Sequence, residues 1–168
     1  MSVQASFGTT ITNKTSDCSI ALQQAVVENA SFELGTLPAT VDAGSSADLQ
    51  GVMWGGLFSD AEDSGIQIPF TITNNTNKKT LDGQFKFYFV DGDSYPDYLA
   101  VEVDCSGQSS VQQFSISWSD DYLDPATPLI TLGSVSILLA DAGFSVAFDS
   151  GASITLTDLS DVAELVAG

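Results

Sequence analysis

Six aspartates in two short stretches are the residues of this sequence best suited to chemistry. The first stretch is Asp91-Gly92-Asp93-Ser94-Tyr95-Pro96-Asp97, followed by Glu102. Carboxylates at near-alternate spacing can converge on a hard cation such as calcium. Counted as a twelve-position calcium loop, Asp91, Asp93, Asp97 and Glu102 take positions 1, 3, 7 and 12. An EF-hand needs an oxygen ligand at position 5 and a glycine at position 6, where Tyr95 and Pro96 stand. An acidic hairpin turn accounts for the same residues. The second stretch, Ser119-Asp120-Asp121-Tyr122-Leu123-Asp124-Pro125, sets three carboxylates so close that they repel one another unless solvated or bridged by a cation. Brought beside the first stretch, Asp120, Asp121 and Asp124 would complete a calcium cage. Tyr95, Tyr98 and Tyr122 lie near turns, where an aromatic face can cage a choline group or stack on a sugar. Trp54 and Trp118 complete the aromatic set, although Trp118 also reads as the last inward residue of a strand.

Composition narrows the chemistry further. The chain has 168 residues, 22 Asp and Glu against 4 Lys and Arg, no His, and a formal net charge of −18. All four basic residues are lysines: Lys14, Lys78, Lys79 and Lys86. Without histidine there is no Ser-His-Asp or Cys-His catalysis and no His-ligated zinc. Without arginine there is no bidentate clamp on phosphate or carboxylate. The negative charge repels the nucleic-acid backbone and anionic lipid alike. A glycosidase would need two acids across a sugar cleft, and no such pair is evident. The residues therefore read as a non-enzymatic binding site, with calcium as the candidate cofactor.

The elements that must position these residues are strands. Ile66, Ile68, Phe70 and Ile72 alternate with polar residues or proline, Phe85, Phe87 and Phe89 with Lys86, Tyr88 and Val90, and Leu99, Val101 and Val103 with Ala100, Glu102 and Asp104. Phe114, Ile116 and Trp118, then Val135, Ile137 and Leu139, then Phe144, Val146 and Phe148, then Ile154 and Leu156 continue the pattern. Period-two alternation marks strands with one dry face and one wet face. Turn residues separate the runs at Asn74–Asn77, Asp82-Gly83, Asp91–Asp93, Ser106-Gly107, Ala142-Gly143 and Ser150-Gly151. The reading is all-β: one antiparallel β-sandwich domain over residues 1–168, with Phe70, Phe87, Val101, Ile116, Ile137 and Val146 facing its core. Ser16 to Asn29 reads as a strand, and Ser160 to Ala167 as a short helix with Ser160 at its N-cap.

The N-terminus shows neither a basic region nor an apolar one, so no signal peptide is expected. The longest apolar stretch, Val135 to Ala142, is broken by Ser136 and Asp141, far short of a membrane span. The expectation is a soluble chain, either intracellular or already trimmed. Cys18 and Cys105 fit no metal spacing and leave open one disulfide or two buried thiols. Asn13, Asn29 and Asn74 each open a glycosylation sequon.

The order of features from about residue 5 to 105 resembles a known architecture. Thr9 to Asn13 forms a strand ending in Asn, followed by Lys14-Thr15-Ser16, Phe32-Glu33-Leu34-Gly35, Pro38 and Val41-Asp42-Ala43-Gly44-Ser45-Ser46. A strand to Trp54, the turn Ser59–Gly65, the strand Ile66 to Thr73 and the run Phe85–Phe89 complete it. This resembles the β-sandwich of the aegerolysins and actinoporin-like cytolysins. The resemblance implies a membrane-lipid-binding protein, with Tyr95-Pro96-Asp97-Tyr98 as the nearest counterpart of an aromatic phosphocholine site. The Trp- and Cys-rich aegerolysin motif and the inserting N-terminal helix of actinoporins are both missing. The implied partners are thus zwitterionic lipid or another toxin component rather than a pore made by this chain alone.

Three functions follow as expectations. The first is a lipid-binding or toxin-component sandwich. The second is a calcium-assisted, lectin-like carbohydrate-binding module. The third is a structural protein that assembles with copies of itself.

Overall fold

Alternation of this kind buries one side of every strand, so the strands need a second sheet to pack against. The computed structural model describes residues 2–27, 32–34, 40–56, 65–90, 97–116, 128–140 and 142–166. Among them the strands are β1 (Ser2–Asn13), β2 (Cys18–Leu22), β3 (Val26–Val27), β4 (Phe32–Leu34), β5 (Thr40–Val41), β6 (Ser46–Gly56) and β7 (Gly65–Asn74). They continue with β8 (Thr80–Val90), β9 (Asp97–Cys105), β10 (Gln108–Ile116), β11 (Pro128–Ala140), β12 (Gly143–Phe148) and β13 (Ser153–Leu156). One helix, α1 (Ser160–Val166), follows. The first sheet runs β13-β12-β11-β1-β6-β4, and the second β10-β9-β8-β7-β2-β5 with β3 also paired to β7. The fold is an all-β sandwich with a short C-terminal helix.

Phe70, Phe87, Val101, Ile137 and Val146 are buried as the alternation predicts; the side chain of Ile116 lies outside the described residues. The sheets meet through rings. Phe70 of β7 stacks on Phe144 of β12 at 5.7 Å, and Phe114 of β10 meets Phe148 of β12 edge-on at 5.0 Å. Such pairs add to the area that they bury. The α1 side chains Val162 and Leu165 are fully buried, and the helix touches β7, β8, β11 and β12. It plugs the end of the sandwich that carries the β7–β8, β9–β10 and β11–β12 turns.

Three details depart from the sequence reading. Among the described strands one pair is parallel: β1 lies alongside β11, Ile11 opposite Val135. These strands are separated by most of the chain, so no hairpin dictates their direction. Asp82-Gly83 is not a turn but the interior of β8. A Cβ on Gly83 would lie 2.5 Å from Phe70 Cζ, 2.6 Å from Cys105 Sγ and 2.7 Å from the Asp104 carbonyl, so this glycine permits close approach within the sheet. The segment from Ser16 to Asn29 forms two strands, β2 and β3, in its described part. Cys18 and Cys105 are two free, buried thiols.

Two of the three sequons are structural turns. Asn13 is fully buried; its amide donates to the carbonyls of Cys18 (2.8 Å) and Val41 (2.9 Å). Its Oδ1 accepts the N–H of Thr15 at 3.0 Å and the Thr15 hydroxyl at 2.5 Å. Asn74 repeats the device at the end of β7. Its Oδ1 accepts the N–H groups of Thr76 and Asn77, and its amide donates to the carbonyl of Leu165, capping α1. An Asn-x-Thr triplet can thus serve as a side-chain-locked turn. Asn29 lies outside the described residues.

Candidate functional site

The outer face of the second sheet gathers side chains of unlike chemistry. Register places Lys86 of β8 directly opposite Glu102 of β9, with Gln84 opposite Asp104 and Tyr88 opposite Ala100. On the other flank of β9, Ser109, Val111 and Gln113 of β10 stand opposite Asp104, Glu102 and Ala100. Direct and diagonal neighbours on one sheet face are within reach of long side chains. Accordingly Lys86 Nζ lies 3.3 Å from both Glu102 Oε2 and Asp104 Oδ2, and Gln84 Nε2 donates to Asp104 Oδ2 at 2.8 Å. Asp104 Oδ1 is buried and has no hydrogen-bond partner among the described residues.

The ion-paired three of these residues border an open hollow of about 410 Å³. Lys86, Glu102 and Asp104 line it together with the segment Cys105–Ser109. Ser106 and Gly107 both have positive φ, 51° and 81°, and join β9 to β10 with Cys105 opposite Gln108. Two successive left-handed residues make the tight hairpin that matches strand twist. The turn is tied to the C-terminal segment: Ser106 Oγ donates to Asp161 at 2.6 Å and Gln108 Nε2 to the Thr157 carbonyl at 2.9 Å.

The electrostatics follow from this crowding. Burial pulls Lys86 down, but hydrogen bonds and charge from Glu102 and Asp104 outweigh it and hold the ammonium above its ordinary value. Burial, then the charge of Glu102, pushes the Tyr88 hydroxyl up. Cys105 is pushed up to about 12 by burial, reinforced by Asp104 and Asp161. A thiol so raised stays protonated and is not a nucleophile at neutral pH. Glu102 and Asp104 share one face of one strand and one lysine, which is not the arrangement of two acids across a scissile bond.

The residues expected from sequence divide as follows. Asp91, Asp93, Tyr95, Asp120, Asp121, Tyr122 and Asp124 lie outside the described residues. Asp97 opens β9, and Tyr98 is half-buried on the same outer face as Glu102 and Asp104. Asp97 pairs with Ile116, at the end of the sheet opposite α1. Glu102, the twelfth position of the calcium count, sits inside β9 and is held by Lys86. No group of three or more His, Cys, Asp or Glu among the described residues is placed to hold a metal. Sequence reasoning missed Lys86, Asp104, Gln84 and Tyr88 as a group. A signal was present: of the four lysines, all among the described residues, only Lys86 lies inside a strand.

The sequence matches no protein-family model and no curated protein. No helix among the described residues is long and apolar enough to cross a membrane.

Proposed function

We propose that this protein is a non-enzymatic β-sandwich that binds carbohydrate on the outer face of its second sheet. The observation that carries this reading is Lys86, gripped at 3.3 Å by two carboxylates beside an open polar hollow. A ring of hydroxyls both donates and accepts, and this hollow presents both: an ammonium and serine hydroxyls beside carboxylate oxygens. Asp104 supports the same reading. A buried carboxylate oxygen without a partner costs about 1–3 kcal/mol, and a ligand hydroxyl could relieve that after a rotation of the side chain. A quaternary ammonium has no hydrogen to donate, and no aromatic residue lines the hollow. The large apolar side chains exposed among the described residues (Val26, Val111, Leu138 and Val166) are scattered singly, which disfavours membrane insertion through them.

The test is a glycan array followed by calorimetry, with phosphatidylcholine vesicles as the competing arm. Binding to a glycan that Lys86→Met and Glu102→Gln weaken at least about tenfold supports the reading. Sedimentation with the vesicles and no glycan binding would overturn it in favour of lipid recognition. Running the calorimetry with and without millimolar calcium shows whether a cation assists.

A further inference from the structure

We infer that the ligand is a linear, uncharged glycan lying lengthwise along β9, gripped at the Lys86 hollow and stacked on Tyr98 and Tyr88 farther along the strand. This rests on the carbohydrate reading above and adds its direction, length and charge class. Tyr98, Ala100, Glu102 and Asp104 are alternate residues of one strand and therefore share one face. From Tyr98 to Asp104 is six residues, about 20 Å of strand. That is long enough for several sugar rings end to end and too long for one.

The face between the two ends is suited to such a chain. Ala100 is fully buried although it points outward. Its neighbours on that face are Tyr88 and Gln113 across the sheet and Tyr98 and Glu102 along the strand. A small residue flanked by two tyrosines leaves their rings, rather than a protruding side chain, to form the surface. Tyr88 is half-buried in the sheet face opposite Ala100, so stacking on it costs little conformational freedom. On β10 the flanking residues are Ser109, Val111, Gln113 and Ser115, none of them bulky, and Val111 is 39% exposed. An apolar sugar face can rest on Val111 while hydroxyls reach the glutamine.

Charge sets the class. The chain carries −18 overall, and the lysine at this face is already shared by two carboxylates. A sulfated or uronic-acid chain would meet repulsion with no unpaired cation at this site to offset it.

Calorimetry with cello-, xylo-, manno- and chito-oligosaccharides, each from monosaccharide to hexasaccharide, tests this with the intact chain. In the series that binds, affinity should rise at least about tenfold from disaccharide to hexasaccharide. Tyr98→Ala should remove that gain and leave disaccharide binding unchanged, whereas Lys86→Met weakens every length. Amide shifts in the unsubstituted protein give a readout independent of any variant's folding: the hexasaccharide should perturb Tyr98 and Ser115, which face each other at the far end of the site, and the disaccharide only the hollow. Equal affinity for disaccharide and hexasaccharide would overturn the extended site and leave carbohydrate binding standing. Tighter binding of oligogalacturonate would overturn the charge class. Failure of every glycan at every length would overturn both readings together.

Discussion

Gln112, on the edge strand of one sheet, donates its side-chain amide to the backbone carbonyl of Ser153, on the edge strand of the other, at 3.0 Å. Gln108 repeats the contact four residues earlier, to Thr157 at 2.9 Å. Both glutamines are on the inward side of β10, where the alternation of a sandwich would place apolar residues. They lace the two open edges together and use carbonyls that could otherwise pair with another chain. The double variant Gln108→Ala/Gln112→Ala should lose about 1–3 kcal/mol of stability, at about 0.5–1.5 for each hydrogen bond. It should also associate at concentrations where the unsubstituted protein does not. Light scattering coupled to size-exclusion chromatography reads the second effect directly. An unchanged mass distribution would show that these side chains do not guard the edge.

Asn13 is a sharper case, because every hydrogen-bonding position of its side chain is used. Asn13→Ala takes their side-chain partner from the Val41 carbonyl and the Thr15 N–H and leaves the Cys18 carbonyl to the Thr15 hydroxyl alone, and should cost about 3 kcal/mol in a urea titration. Asn13→Asp should be no better, since a carboxylate cannot donate to Cys18 and Val41. The same accounting predicts that folded protein from a glycosylating host carries no sugar at Asn13 or Asn74, which peptide mass mapping can check.

Gly83→Ala should destabilise by about 1–3 kcal/mol, the range for overpacking a tight core, with a lower midpoint in chemical denaturation. The new methyl would meet Phe70, Cys105 and the backbone of Asp104 all below 3.0 Å, and the backbone cannot rotate away. Gly107→Ala, by contrast, meets nothing within 4 Å and is opposed by backbone conformation alone.

Gly83 also marks where sequence reasoning reached its limit. Period-two alternation located the strands and the inward set, because burying one face of a pleated strand leaves that imprint on composition. It could not say whether Asp82-Gly83 turns the chain or lets two strands approach, since both uses favour glycine. The Lys86–Glu102–Asp104 cluster was equally hidden. Its members are ordinary polar residues of outer faces, and only the register between β8 and β9 makes them neighbours. The parallel pairing of β1 with β11 had no local signal at all, because both strands alternate alike whatever their direction.

Salt should stabilise the protein. A net charge of −18, with one of four lysines already between two acids, leaves repulsion among carboxylates that mobile ions screen. The Lys86 pairs will weaken over the same range, but exposed pairs contribute only about 1 kcal/mol or less. The melting temperature should therefore rise as sodium chloride goes from about 10 mM to several hundred millimolar, where the Debye length shortens from about 30 Å to a few Å. A falling melting temperature would mean that the cross-strand pairs outweigh the diffuse repulsion.

Alkaline pH should unfold the protein from the thiol side. Cys105 is raised from 9.0 to about 12, and Cys18, Tyr88 and Lys86 are raised as well. For a thiol or phenol a raised value means that the native state keeps its proton after the unfolded chain has lost it. The native state then binds more protons, and stability falls as pH rises. For Lys86 the ion-paired cation contributes fully below its unfolded value of 10.5 and is lost as pH passes the higher folded value. All four groups act in the same direction. Cys18 and Cys105 begin to act together above pH 9.0, and between there and about 12 Cys105 by itself removes about 1.4 kcal/mol per pH unit. Against a typical stability of about 5–15 kcal/mol, that is enough to bring the unfolding transition into the range of a pH titration. Cys105→Ala removes the titrating group at the cost of a small cavity, so its stability should be lower at pH 7 yet fall less steeply above pH 9. Parallel urea titrations at pH 7, 9 and 10.5 on both proteins measure the two slopes. Identical slopes would show that the Cys105 thiol ionises in the folded protein as easily as in the unfolded chain.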